Sequence, residues 1–286
     1  MQPLILDDVE SALAHLTELG RTVVAPVARA IRNTIITFAA VRAWPVVDHQ
    51  RFVEWATPEA ADDSRWLVLD PLCSPTRFGG NAVRARFRRI GTPEGLTLHG
   101  ELSESVTRLV SGCSVIVLDD AAATGTTLCE VAQQVRSAGG RVVRFLVCAA
   151  QPSGRAAALA AAPDADWFSY ASGDFTTIHL RDACPFVPFA SRPMWNKPAV
   201  PTANGVVEVS MPVSAFRGGV WGQLTMAAGL EQTIMAARRK VVQRLAASLG
   251  RPSTVADIPL LGTNVMLPLT PTQVANESTL LADLMH

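Results

Sequence analysis

The sequence predicts an α/β protein, a mostly parallel sheet flanked by helices, followed by a C-terminal extension. Three observations carry this expectation. Residues 114–150 read strand, loop, helix, strand, in a span short enough for one right-handed crossover unit. Residues 22–39 repeat the start of that order, with a β-rich run ahead of helical spacing. Prolines then cluster over 185–212, where packed elements give way to an extended or turn-rich passage. The expected division is an α/β core over 1–185 and an extension over 186–286 that serves as a hood or dimer interface.

Composition narrows the class. A chain of 286 residues with 49% hydrophobic content can bury a sizeable core. Its 25 basic and 25 acidic residues cancel, so the overall charge asks for neither nucleic acid nor an anionic membrane. Cys73, Cys113, Cys129, Cys148 and Cys184 are far apart and show no metal-ligand spacing, which suits free thiols in a reducing compartment. The N-terminus lacks a basic segment followed by an apolar run, and no stretch reads as long enough for a membrane helix. A cytoplasmic protein is expected.

Taken in order, Asp7 and Glu10 have capping-box spacing, and Val9, Leu13, Leu16 and Leu19 predict a first helix up to Gly20. Residues 22–29 predict a short strand and loop. Ile31, Ile35, Phe38 and Ala39 predict a helix ended by Trp44-Pro45. Strands follow at 46–47 and 66–69, joined by a polar connection. Residues 71–95 are dense in arginine, glycine and proline. Within them Val83, Ala85 and Phe87 alternate with Arg84, Arg86 and Arg88, which predicts a half-exposed strand over 83–90.

Val115, Ile116, Val117 and Leu118 predict a buried strand that ends on Asp119 and Asp120. Leu128, Val131, Ala132 and Val135 share a helical face, and Gly139-Gly140 marks the helix end. A strand over 142–150, an alanine-rich helix over 151–162 and a strand over 165–170 complete the core. In the extension, Asn204-Gly205 predicts a hairpin turn, and a long helix is expected over 221–249. Its Arg238, Arg239, Lys240 and Arg244 read as a solvated face, with an intersubunit phosphate contact as the sharper alternative.

The chemistry sits in the loop after Asp120. At the C-terminal end of a parallel strand, with a helix starting directly after it, backbone N–H groups and the positive helix end point into one crevice. That crevice suits a phosphate. Thr124, Gly125, Thr126 and Thr127 add hydroxyls and one residue without a Cβ. Asp119 and Asp120 are placed to accept hydrogen bonds from sugar hydroxyls or to hold hydrated Mg²⁺. A ribose 5-phosphate satisfies both halves.

The whole segment, VIVLDDAAATGTT at 115–127, closely resembles the phosphoribosyl pyrophosphate (PRPP) signature of the type I phosphoribosyltransferases. The resemblance implies that family's α/β fold and an Mg²⁺-dependent transfer of the 5-phosphoribosyl group from PRPP to a nitrogen nucleophile, with release of diphosphate. It also implies that Asp119 and Asp120 are catalytic, holding the ribose hydroxyls and, through water, the metal. Ala122, Ala123, Thr124, Gly125, Thr126 and Thr127 would hold the 5-phosphate. Ala28 and Arg29 occupy the place of the loop that binds the diphosphate of PRPP, with Arg29 catalytic, and Arg77, Arg84, Arg86, Arg88 and Arg89 lie where the family keeps a mobile loop. The implied partners are PRPP and a nucleobase-like or specialised small-molecule acceptor, in a homodimer with no nucleic acid and no membrane. Ala123 stands where the 6-oxopurine enzymes carry an aspartate, and a small residue there resembles the adenine and uracil branches. A catalytically silent PRPP-binding regulator of the same fold would show the same signature.

Overall fold

A computed structural model describes residues 2–58, 64–92, 95–188, 199–210, 230–262, 264–266 and 275–284. In chain order the elements are β1 (Gln2–Asp7), α1 (Val9–Leu13), α2 (Glu18–Val41), β2 (Val46–Asp48), α3 (His49–Ala56), β3 (Arg65–Val68), β4 (Ala82–Arg84), β5 (Arg88–Thr92) and β6 (Gly95–His99). There follow α4 (Glu104–Val110), β7 (Ser114–Ala122), α5 (Thr126–Ser137), β8 (Arg141–Ala150), α6 (Pro152–Ala161), β9 (Asp166–Ser172) and β10 (Phe175–His179). The C-terminal part holds β11 (Ala199–Thr202), β12 (Gly205–Ser210), α7 (Leu230–Leu249) and β13 (Asn264–Met266).

The main sheet has the order β4-β3-β7-β8-β9, parallel throughout. Both faces are covered, as an all-parallel sheet requires. On one face Leu67, Val115, Val117, Phe145 and Val147 pack with Val106, Val110, Leu128, Val131, Val135 and Ala158 from α4, α5 and α6. The alternate residues Trp66, Val68, Ile116, Leu118, Leu146 and Cys148 pack with Leu4, Leu6, Phe52, Val53 and Phe78 on the other. This alternation is the period-two signal of the sequence, buried on both sides. Smaller sheets have the orders β10-β1-β2, β5-β6 and β11-β12-β13. The β11–β12 hairpin turns at Asn204-Gly205 as the sequence predicts, with Gly205 at φ 113°.

Two compact units divide the chain differently from the expected break at 185. One comprises residues 1–6 and 47–177, and the other 7–46 and 178–286. The strand expected at 22–29 is absent; those residues lie inside α2. Thr22, Val23 and Val24 have strand propensity, but Val23, Val24, Val27, Ile31 and Ile35 recur at helical spacing and are buried. Burial of that stripe outweighs the local preference. The Thr17 side chain caps the helix by accepting from Gly20 N at 3.1 Å, and Pro26 falls on the exposed face. The capping box expected at Asp7 and Glu10 is also absent, because arginines of α2 engage both carboxylates. Arg32 binds Asp7 at 2.8 Å and Arg29 binds Glu10 at 2.7 Å.

α2 is, by length and composition, long and apolar enough to cross a membrane, contrary to the expectation from sequence. Its apolar stripe is buried within the protein, as in a core helix. α3 was not expected either. It is short, capped by Asp48 accepting from Gln50 N at 2.8 Å, and buries Phe52, Val53 and Ala56. In α7, Ile234, Val241 and Leu245 are buried, yet so is Arg238, which corrects the solvated face assigned to it. Residues 221–229, the start of the long helix expected there, lie outside the described residues.

Candidate functional site

The order of the main sheet sets the site. From β3 the chain moves outward to β4, and then returns to the opposite side of β3 to form β7. Ligands of open α/β sheets bind where the order reverses in this way, beyond the C-terminal ends of the two strands. Val68 of β3 pairs with Leu118 of β7, so Asp70 and Asp120 each stand two residues past that pair on neighbouring strands.

On β7, Asp119 is buried at 7% exposure and Asp120 is half-buried; the Asp120 amide donates to Asp119 Oδ1 at 2.9 Å. Ala122 ends the strand. Gly125 then takes the left-handed conformation, φ 74°, as the N-cap of α5, and this cap has no side chain to occupy the first-turn amides. Thr124 and Thr126 are exposed, their hydroxyls 2.9 Å apart, while Thr127 is buried. The twelve-residue α5 thus presents its positive end and two hydroxyls at the strand terminus.

A second helix start fixes this loop from behind. Gln151 N donates to Ala122 O at 2.9 Å, and Ser153 Oγ donates to Ala123 O at 3.0 Å. A Cβ on Gly154 would come within 2.4 Å of Ala122 O, and one on Gly125 within 2.5 Å of Gly154 O. Two glycines therefore permit the loop and α6 to touch backbone to backbone.

The turn after β3 forms the other wall. Asp70 is fully buried; its Oδ1 accepts from Leu72 N at 2.9 Å, and its Oδ2 lies 2.6 Å from His49 Nε2 and 3.2 Å from Cys73 Sγ. Burial, the Asp70 carboxylate and, more weakly, Asp120 push the Cys73 thiol far above the ordinary range, so it is a neutral thiol. Arg84 donates to Asp70 O at 2.8 Å and to Cys73 O, locking the turn. Beyond it, the 3₁₀ turn Pro75–Phe78 carries Arg77, which is exposed.

The arginines expected to hold diphosphate thus separate. Arg77 stands on the switch-point loop, Arg84 is engaged with backbone carbonyls, and Arg86 is exposed. Arg88 and Arg89 begin the β5–β6 hairpin, and their side chains lie outside the described residues. Ala28 and Arg29 do not occupy a loop after a core strand. Both are in α2, in the other compact unit, where Ala28 is buried and its carbonyl accepts from Cys184 Sγ at 3.5 Å. The first strand of the parallel sheet is β3, which makes 69–78 the loop that follows it. Its signal was present in the sequence, since residues 66–69 run into Asp70 as 115–118 run into Asp119.

Residues 81–169 match the family model of the phosphoribosyl transferase domain. That match covers less than a third of the chain. It contains the signature at 115–127 and extends from the end of the β3 turn into β9. No curated protein sequence matches the chain. Among solved structures, the chain is similar to a purine phosphoribosyltransferase from Pyrococcus horikoshii Ot3, with 14% identity over 52% of this chain and 93% of that one, and a TM-score of 0.32. It is also similar to an adenine phosphoribosyltransferase from Rhodothermus marinus, with 16% identity over 43% and 78% and a TM-score of 0.32. An adenine phosphoribosyl transferase from Trypanosoma brucei, in complex with AMP, pyrophosphate and ribose-5-phosphate, shares 12% identity over 43% and 63%, with a TM-score of 0.33.

Proposed function

We propose that the chain transfers the 5-phosphoribosyl group of PRPP to a nitrogen nucleophile and releases diphosphate. One observation carries this reading: at the sheet's switch point the Asp119–Asp120 pair directly precedes a helix start capped by Gly125. The α5 amides and the Thr124 and Thr126 hydroxyls bind the 5-phosphate, and the two carboxylates accept hydrogen bonds from the ribose 2- and 3-hydroxyls. The loop 69–78, with Arg77, faces the diphosphate end, replacing the assignment of Ala28 and Arg29.

Departure of diphosphate leaves positive charge on the sugar, so the fixed anionic pair below the ribose and cationic groups at the leaving oxygens both favour the transition state. The donor set at 119–120 fits Mg²⁺: two hard carboxylates, one of them half-buried at the crevice. When bound, Mg²⁺ would neutralise charge on the diphosphate. The acceptor's place is the shallow pocket of about 400 Å³ lined by Ala150, Gln151, Pro152, Arg155 and Ser172, which borders the signature through Gln151. Its size suits a nucleobase-like molecule.

The test is diphosphate release from PRPP and Mg²⁺ across a panel of heterocyclic bases and amines. Release with at least one acceptor, lost in the Asp119→Asn/Asp120→Asn double variant, is expected. A protein that binds PRPP and releases diphosphate with none of them is instead a PRPP-binding regulator.

A further inference from the structure

His49, Asp70 and Cys73 form a buried cluster beside the proposed sugar-phosphate site. Their donor atoms lie within 4.8 Å of one another, and all three residues are at most 1% exposed. They come from the first residue of α3 and from the tight turn after β3, where Cys73 N donates to Asp70 O at 3.3 Å. The imidazole and the thiol converge on one carboxylate oxygen, Oδ2.

We propose that this cluster is a binding site for a divalent transition metal of the zinc class, distinct from the Mg²⁺ that accompanies PRPP. A thiol, an imidazole and a carboxylate are the donor types that zinc takes, whereas Mg²⁺ and Ca²⁺ select oxygen alone. The supporting shell is in place. The Leu72 amide holds the other carboxylate oxygen, as hydrogen bonds to ligating carboxylates do, and Arg84 pins the backbone carbonyls of both Asp70 and Cys73.

Donors about 2.0–2.3 Å from a zinc ion stand roughly 3.2–3.8 Å apart, so the 2.6 Å and 3.2 Å separations need to open by about 1 Å or less. The ion displaces one proton, that of the Cys73 thiol, which leaves to solvent, and neutral His49 carries its single proton on Nδ1, so that Nε2 offers its lone pair. Three protein ligands leave a fourth position, the pattern of a reactive rather than a purely structural zinc. Asp120, on the neighbouring strand, is a carboxylate beyond the triad whose charge reaches Cys73.

The experiment uses the full chain and needs no turnover, so its outcome is independent of PRPP binding. Protein purified under reducing conditions is equilibrated with zinc chloride, dialysed against metal-free buffer and analysed for metal; Co²⁺ is titrated in parallel and followed by absorption. One equivalent of zinc per chain and a thiolate-to-cobalt charge-transfer band are expected. Cys73→Ser removes the band, and His49→Asn weakens Co²⁺ binding by at least about 100-fold. Cys129→Ser, which alters a cysteine outside the cluster, retains the band. Wild-type protein that holds no zinc, or a band that survives Cys73→Ser, overturns the proposal. Loss of thermal stability in the variants without metal uptake by the wild type also overturns it, and identifies a purely hydrogen-bonded cluster.

Discussion

Gly125 and Gly154 illustrate how single residues set the geometry of the signature loop. A Cβ on Gly125 would meet the Gly154 carbonyl oxygen and one on Gly154 the Ala122 carbonyl oxygen, and neither oxygen can rotate away. Gly154→Ala is therefore expected to push α6 from Ala122 and to reduce PRPP affinity by about tenfold or more, while lowering stability by roughly 1–3 kcal/mol. Calorimetry and thermal melts of the variant measure both. Asp119, Asp120 and the threonines were legible in the sequence because they are contiguous, and their order alone encodes a strand end, two carboxylates and a helix start. His49, Asp70 and Cys73 were not. They come from segments 21 and 3 residues apart, and only the fold brings their donor atoms together. Arg29 failed for the opposite reason: a plausible residue in a plausible local pattern is held by Glu10 on a helix.

At the level of elements, β7, α5, β8, α6 and β9 follow the sequence closely, since strong periodicity and the glycines at 139–140 mark their limits. The misreading of α2 shows where local pattern loses to burial. Around the start of that region, Asp8 is fully buried and accepts from His179 Nδ1 at 2.9 Å, Arg181 N at 2.9 Å and Arg181 Nη1 at 2.7 Å. Burial by itself would raise its pKa, but the Arg181 charge and the hydrogen bonds from His179 and Arg181 together hold it below the ordinary 3.8. A carboxylate depressed in the folded state stabilises it above the unfolded value and loses that contribution as pH falls through the folded one. Asp8→Asn is expected to cost about 3–5 kcal/mol at neutral pH, with the difference from wild type shrinking below about pH 4. Urea denaturation across that range checks the sign.

α7 poses the reverse case. Arg238 is fully buried, its Nε and Nη2 find no hydrogen-bond partner among the described residues, and burial pushes its pKa down to about 10. A buried cation with no compensating charge among the described residues destabilises the fold, so Arg238→Met, of similar length and without charge, is expected to raise the melting temperature. A lower melting temperature would show that the guanidinium has a partner beyond those described.

For the whole molecule, the fold class was readable because a parallel sheet buried on both faces leaves continuous apolar strands between helices. The allocation of chain to the two compact units was not, since residues 7–46 group with 178–286 through contacts that span more than a hundred residues of sequence. The loop after the first strand of the parallel sheet was hidden for the same reason, because residues 22–29 lie inside α2 and β3 is the strand that opens the sheet. With that corrected, both walls of the crevice, Asp119 to Thr127 and the turn at 69–78, belong to one unit. Titration calorimetry of the full chain with PRPP in the presence of Mg²⁺ tests the central claim most directly. Saturable binding at one site per chain is expected, with affinity reduced at least about 100-fold in the Asp119→Asn/Asp120→Asn variant, since two charged acceptors of sugar hydroxyls are lost. Equal PRPP affinity in the wild type and the double variant would contradict it.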